Sequence, residues 1–257
     1  MSETILETKG LGKRFGHFAA NADIDFVVRA GELRAVIGPN GAGKTTFFNL
    51  LSGITLPSDG TITYKGRDIT SAGGPARVRL GIAKAFQTAN IYPDQTVAQN
   101  VRLAALARVQ GSFALQVFRR SGRLGKVDEI AERALDRVEL AALIHTRAGD
   151  LSHGDKKRLD IAIALATEPD ILLLDEPVAG MSIDESRRTE LLIKKLAAEM
   201  TVLIIEHDME MIMGISDSIT VLHQGKVLAN GTPTAIRASK VVQDAYLGGH
   251  SEAEIGG

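Results

Sequence analysis

The octapeptide Gly38-Pro39-Asn40-Gly41-Ala42-Gly43-Lys44-Thr45 follows directly on the apolar run Leu33 to Ile37 and leads into a helix-forming stretch, Thr45 to Leu51. A strand, a glycine-rich turn and a helix in immediate succession constrain the fold more than any other feature of the chain. The glycines let successive backbone N–H groups point inward around an anion, and a helix beginning near Lys44 adds the positive end of its dipole. Such a loop holds a phosphate chain, with Lys44 reaching the β- and γ-phosphates and the Thr45 hydroxyl ligating Mg2+. Gly38 to Thr46 therefore form the expected nucleotide cradle.

The remaining segments sort around that loop. Ile5 to Phe15 and Ala22 to Val28 read as strands, with a turn at Ala30-Gly31-Glu32. Pro57-Ser58-Asp59-Gly60 reads as a turn ahead of a strand at Thr61 to Tyr64, and another apolar stretch, Gly81 to Phe86, leads to Gln87. From Thr96 to Thr167 helical spacing takes over. Val127, Ile130, Ala131, Ala134, Leu135 and Val138 keep one apolar face; Leu159, Ala162, Ile163 and Ala166 keep another. Gln110 to Gly125 reads, by composition, as a mobile connector. The apolar runs Ile171 to Leu174, Val202 to Ile205 and Ile219 to Leu222 then alternate with helical stretches, and Gln224-Gly225 turns the last into a hairpin with Lys226 to Ala229. Buried-type strands alternating with helices make a mainly parallel sheet covered on both faces. The expected class is α/β, with an N-terminal antiparallel β part and a helical subdomain inserted between two halves of the sheet.

Two further motifs carry chemistry. In Ile171-Leu172-Leu173-Leu174-Asp175-Glu176-Pro177 a buried aliphatic strand ends in two carboxylates, at the edge where ligands of parallel sheets bind. Asp175 is the candidate Mg2+ ligand, through water, and Glu176 the candidate for polarising an attacking water. Leu151-Ser152-His153-Gly154-Asp155 is a capping box, Ser152 capping and Asp155 three residues on, and a helix start with Gly154 beside it is also an anion site. Loop, Leu-Ser motif and acidic strand, in this order, resemble the ATP-binding-cassette (ABC) ATPases of the P-loop NTPase class, whose signature usually reads Leu-Ser-Gly-Gly-Gln. The resemblance runs over roughly residues 4 to 248.

That resemblance implies a head-to-tail pair of subunits burying two ATP molecules, the signature of one (Ser152, His153, Gly154, Asp155) closing on the γ-phosphate held by the other. It further implies that Gln87 touches Mg2+ and the transmembrane partner, that His207 contacts the γ-phosphate and that Phe15 stacks on adenine. Glu176, His207, Gln87 and Lys44 would then form the catalytic set, and Thr45, Gln87 and Asp175 the metal set. The catalytic core would comprise 4–87 and 169–248, the signature subdomain 88–168, and a flexible tail 249–257. Two departures stand out: His153 and Asp155 replace a glycine and the glutamine of the signature, and Ala179-Gly180-Met181-Ser182 replaces the usual Ser-Ala-Leu-Asp. Lys156 and Lys157 are expected to offset the extra carboxylate.

Glu206-His207-Asp208-Met209 and the ending Ala245-Tyr246-Leu247-Gly248 resemble one branch, the longer ATPase subunits of branched-chain amino acid importers, whose relatives also handle urea, short amides and aromatic acids. The branch implies a second ABC ATPase subunit (paralogue or self), two transmembrane permeases and, indirectly, an extracytoplasmic binding protein. A net charge of −1 gives no footprint for nucleic acid. A soluble ABC ATPase acting on DNA or ribosomes would carry a long coiled-coil insert or a second cassette, which this chain lacks. No run reaches the ~18 apolar residues of a membrane span and the N-terminus lacks a signal peptide. The expected location is therefore the cytoplasmic face of the membrane, held there by the permeases.

Overall fold

The computed structural model describes residues 3–86, 89–110 and 121–247. Its elements run β1 (Thr4–Phe15), β2 (Phe18–Arg29), β3 (Leu33–Ile37), α1 (Lys44–Ser52), β4 (Asp59–Tyr64), β5 (Arg67–Asp68), α2 (Gly74–Leu80), β6 (Ile82–Ala85), α3 (Val97–Gln110), α4 (Ser121–Arg137), α5 (His153–Leu165), β7 (Ile171–Asp175), α6 (Ile183–Ala197), β8 (Thr201–Ile205), α7 (Met209–Ile215), β9 (Ser218–His223), β10 (Lys226–Gly231), α8 (Pro233–Ala238) and α9 (Lys240–Leu247). Two compact units result, Met1–Gly74 with Ala197–Gly257, and Pro75–Leu196.

In the first unit, β1 pairs antiparallel with both β2 and β4. The sequence alternates as such a sheet requires: Ile24, Phe26 and Val28 of β2 are buried while Asp25, Val27 and Arg29 face out. β3 pairs parallel with β8 and with β9, and β10 closes antiparallel on β9. Gln224 (φ 48°) and Gly225 (φ 77°) make the tight turn of that last hairpin. Helix α1 buries Phe47, Phe48, Leu50 and Leu51, and Phe47 meets Phe26 edge-on with centroids 5.0 Å apart. Each such fully buried side chain contributes roughly 1.5–3 kcal/mol, so the helix after the loop is anchored by its own apolar face. β4 begins at Asp59, two residues earlier than expected, because Asp59 already pairs with Gly12 of β1.

In the second unit, β6 and β7 pair parallel and all five residues of β7 are buried. Helices α3, α4 and α5 pack on one another. Val127, Ile130, Ala131, Ala134 and Leu135 are buried along α4, as their spacing demands. Two expectations need correction. Ser121 to Gly125 belong to α4 and Gln110 to α3, rather than to a connector; they extend helices whose apolar faces are buried further along, and 111–120 lie outside the described residues. On α5, Ile161 and Ala164 are buried while Ile163 is only half so, since the helix is covered on more than the one stripe that the spacing marked.

Candidate functional site

The first unit holds the glycine-rich loop. Gly43 caps α1 in the left-handed region (φ 94°) and offers no side-chain hydrogen bond to the helix, so no cap side chain competes with an anion at this helix start. Only glycine fits there: a Cβ would lie 2.5 Å from the Ala20 carbonyl oxygen, and at Gly38 a Cβ would lie 2.1 Å from that of Leu222. Asn21 Nδ2 donates to the Gly43 carbonyl at 3.2 Å. Lys44 is buried, and its Nζ donates to the Gly38 and Pro39 carbonyls at 2.7 and 3.0 Å, poised inside the loop's curve. Thr45, Asn40 and Gly41 are exposed, and Pro39 and Thr46 half-buried. Tyr246 of α9 lies near the Gly38 backbone, and burial pushes its hydroxyl up to about 12.

The same unit carries His207 and Phe15. His207 lies two residues beyond the end of β8, exposed, its N–H donating to the buried Glu206 Oε2 at 2.8 Å, and Asp208 caps α7 by accepting the Met211 N–H at 3.0 Å. Phe15 sits at the tip of the β1–β2 hairpin directly opposite Phe18. Both rings are largely exposed, and Lys13 lies 5.3 Å from the Phe15 centroid.

The second unit holds the acidic strand and the signature. Asp175 is 3% exposed at the end of β7. Lys84 of β6 pairs with its Oδ2 at 2.8 Å, while its Oδ1 is buried with no hydrogen-bond partner. A buried carboxylate with one orphaned oxygen is a fitting donor for a cation or its bound water. Glu176 stands at φ 51°, a strained backbone for a non-glycine residue, and its carbonyl accepts from Lys157 Nζ at 3.3 Å. Asp160, 3% exposed on α5, accepts the Phe86 and Asn90 N–H groups at 2.6 and 3.1 Å. Burial pushes its carboxyl up to about 6, against the opposing pull of those two donors and of Lys157 and Lys84.

Ser152 caps α5, its hydroxyl accepting the Asp155 N–H at 3.1 Å. Asp155 is turned to Arg158 in a close ion pair. The expectation that Lys156 and Lys157 offset this carboxylate is thereby corrected: Arg158, one turn along, is the nearer cation, and Lys157 is committed to Glu176. His153 Nε2 lies 3.2 Å from the Ala179 carbonyl, so the residue replacing a signature glycine reaches the segment after Pro177.

Within its own unit, then, the structure gathers Gly38 to Thr46 into one cradle, and in the other unit it brings Asp175 and Glu176 to the end of one strand. Gln87, with Thr88, lies outside the described residues, as do 249–257. The sequence reading passed over Lys84 and Asp160. Their signal was available: a lysine inside a short apolar strand and an aspartate inside an apolar helix are seldom buried without a partner. An open groove of about 610 Å³, lined by Tyr92, Gln95, Gln99, Leu103 and Leu106 among others, also belongs to the second unit. Among the described residues no helix is long and apolar enough to cross a membrane.

A phosphate cradle of this form, an acidic strand end and a capped Leu-Ser helix define an ATP-binding subunit of the ABC class, and the chain belongs to the ABC transporter family, whose model matches residues 22–179. Within it, the model of the branched-chain amino acid ATP-binding cassette transporters matches residues 226–252. The chain is 40% identical over 255 residues to the high-affinity branched-chain amino acid transport ATP-binding protein BraF of Pseudomonas aeruginosa, and 39% identical over 258 residues to LivG of Salmonella typhimurium, which carries the same description. Each alignment covers 96% of this chain and 99% of the relative. A crystal structure of an ATP-binding cassette of an ABC transporter, in its ADP conformation, superposes with a TM-score of 0.84 at 27% identity, over 96% of this chain and 100% of the other. The α/β architecture expected from the sequence is thus the ABC ATPase fold.

Proposed function

We propose that this chain is the ATP-hydrolysing subunit of an importer for branched-chain amino acids, working as one half of a nucleotide-closed pair. The observation that carries the reading is the end-to-end likeness to BraF and LivG, joined to an uncapped phosphate loop with Lys44 curled inside it. Residues 4–87 and 169–248 would serve as catalytic core, and 88–168 as the part presenting the signature. Gly38 to Thr46 hold the ATP phosphates, Lys44 neutralises charge at the β- and γ-phosphates, and Phe15 stacks on adenine. Mg2+ would neutralise charge that builds on the transferred group; Thr45, Gln87 and Asp175 would hold it, Asp175 through water, a role that its orphaned buried oxygen supports. Glu176 orients and polarises the attacking water, and His207 contacts the γ-phosphate. Ser152, His153, Gly154 and Asp155 meet the nucleotide of the second ABC subunit, a paralogue or a copy of this chain.

The groove with Tyr92 and Leu103 exposed is where a permease helix would dock. Two permeases then hold the subunit at the cytoplasmic face of the membrane and pass the force on, with the extracytoplasmic binding protein loading them. Glu176→Gln tests the chemistry directly. It should lower Mg2+-dependent phosphate release by about a hundredfold or more, the scale of a lost general base, and leave ATP binding intact. Turnover at the original rate would remove Glu176 from this role.

A further inference from the structure

The signature helix of the isolated subunit already holds an anion, and it comes from its own chain. Ser152 Oγ satisfies the Asp155 N–H, and the Glu185 carboxylate sits against Gly154. The approach is close enough that a Cβ on Gly154 would lie 2.7 Å from Glu185 Oε1. Glu185 Oε2 is meanwhile held by the Ser182 N–H at 3.0 Å and by the Ser182 hydroxyl at 2.9 Å. The carboxylate therefore spans from the first turn of α6 to the first turn of α5. Asp155, the other acid at this helix start, is turned away to Arg158. Hydrogen bonds from Ser182, with the Gly154 backbone and the His153 ring close by, hold Glu185 below the usual carboxylate range, so it is an anion at neutral pH.

We propose that Glu185 is a built-in competitor for the signature: its carboxylate covers the helix start at Gly154 while the subunit is open and must swing away before a neighbour's γ-phosphate can reach the Gly154 N–H. The inference rests on the closed-pair reading given above. Two negative charges at one helix start repel over a distance where solvent screens them only partly. Glu185 thereby raises the ATP concentration at which two subunits close. Release is local, since its half-exposed side chain needs only a change of rotamer, and Ser182 can keep one oxygen.

The test uses the full chain carrying Glu176→Gln, so that ATP is bound and not consumed, with the monomer–dimer balance read by light scattering as ATP is raised. Adding Glu185→Gln removes the charge and keeps the Ser182 capping box, which accepts glutamine at this position. The midpoint ATP concentration is expected to fall about threefold or more, the scale of a charged contact at an exposed site. An unchanged or higher midpoint overturns the proposal. A Glu176→Gln parent that stays monomeric at every ATP concentration instead overturns self-pairing. The readout then moves to the assembled transporter, where Glu185→Gln in the otherwise natural chain must lower the KM for ATP without a matching rise in kcat; an unmoved KM overturns the competitor role.

Discussion

Lys84 and Asp175 are a buried ion pair, 5% and 2% exposed at the side chain, at 2.8 Å. Such a pair is weak evidence of stability in itself, because both charges give up their hydration. Breaking it from one side is another matter. Lys84→Met leaves Asp175 charged, buried and short of a partner, and should lower the unfolding free energy by about 3 kcal/mol or more. Lys84→Met with Asp175→Asn removes both charges and should recover most of that loss. A urea double-mutant cycle reads the difference, and purely additive effects would show that the two side chains are not coupled. The pair leaves the acid end of β7 only half committed: Lys84 fixes Oδ2, and the unpaired Oδ1 remains for what binds there.

At the scale of elements, α5 is tied to the end of β6 by Asp160, through the Phe86 and Asn90 N–H groups. Because burial raises this carboxyl to about 6 from the ordinary 3.8, the folded chain binds a proton there that the unfolded chain has already released. Stability must therefore fall as pH rises from about 4 to about 6, by about 3 kcal/mol for a shift of this size, and stay level above it. Asp160→Asn should lack that slope, so the stability difference between the two chains, followed by denaturant unfolding across this window, should change by that amount. A constant difference would mean that Asp160 does not titrate there. Strand β3, its loop and α1 were legible to within a residue, as was β7, since strand–glycine–helix succession and apolar runs are local patterns. Lys84 with Asp175, Asp160 with Phe86, and Glu185 with Gly154 were not, because each pair joins segments distant in the chain and periodicity carries no information about partners. The helical 121–125 shows the same limit: glycine and serine disfavour a helix locally, yet these residues extend a helix whose apolar face is buried from Val127 onward.

For the whole molecule, the phosphate loop lies in a unit assembled from both ends of the chain, and the acidic strand and signature in the unit inserted between them. A ligand that binds only the folded cradle stabilises the protein by mass action, by about 2.7 kcal/mol at a hundredfold excess over its dissociation constant. For a chain of this length that moves the unfolding midpoint upward by about 5–10 °C. Lys44→Ala strips the charge from inside the loop while sparing the apolar face of α1, which Phe47, Phe48, Leu50 and Leu51 provide. Its melting temperature without nucleotide should stay near that of the natural chain, and the shift with Mg-ATP should vanish. Glu176→Gln, placed to act on water and not on binding, should keep the full shift. The two variants thus separate holding ATP from cleaving it, and an intact shift in Lys44→Ala would move the nucleotide away from this loop.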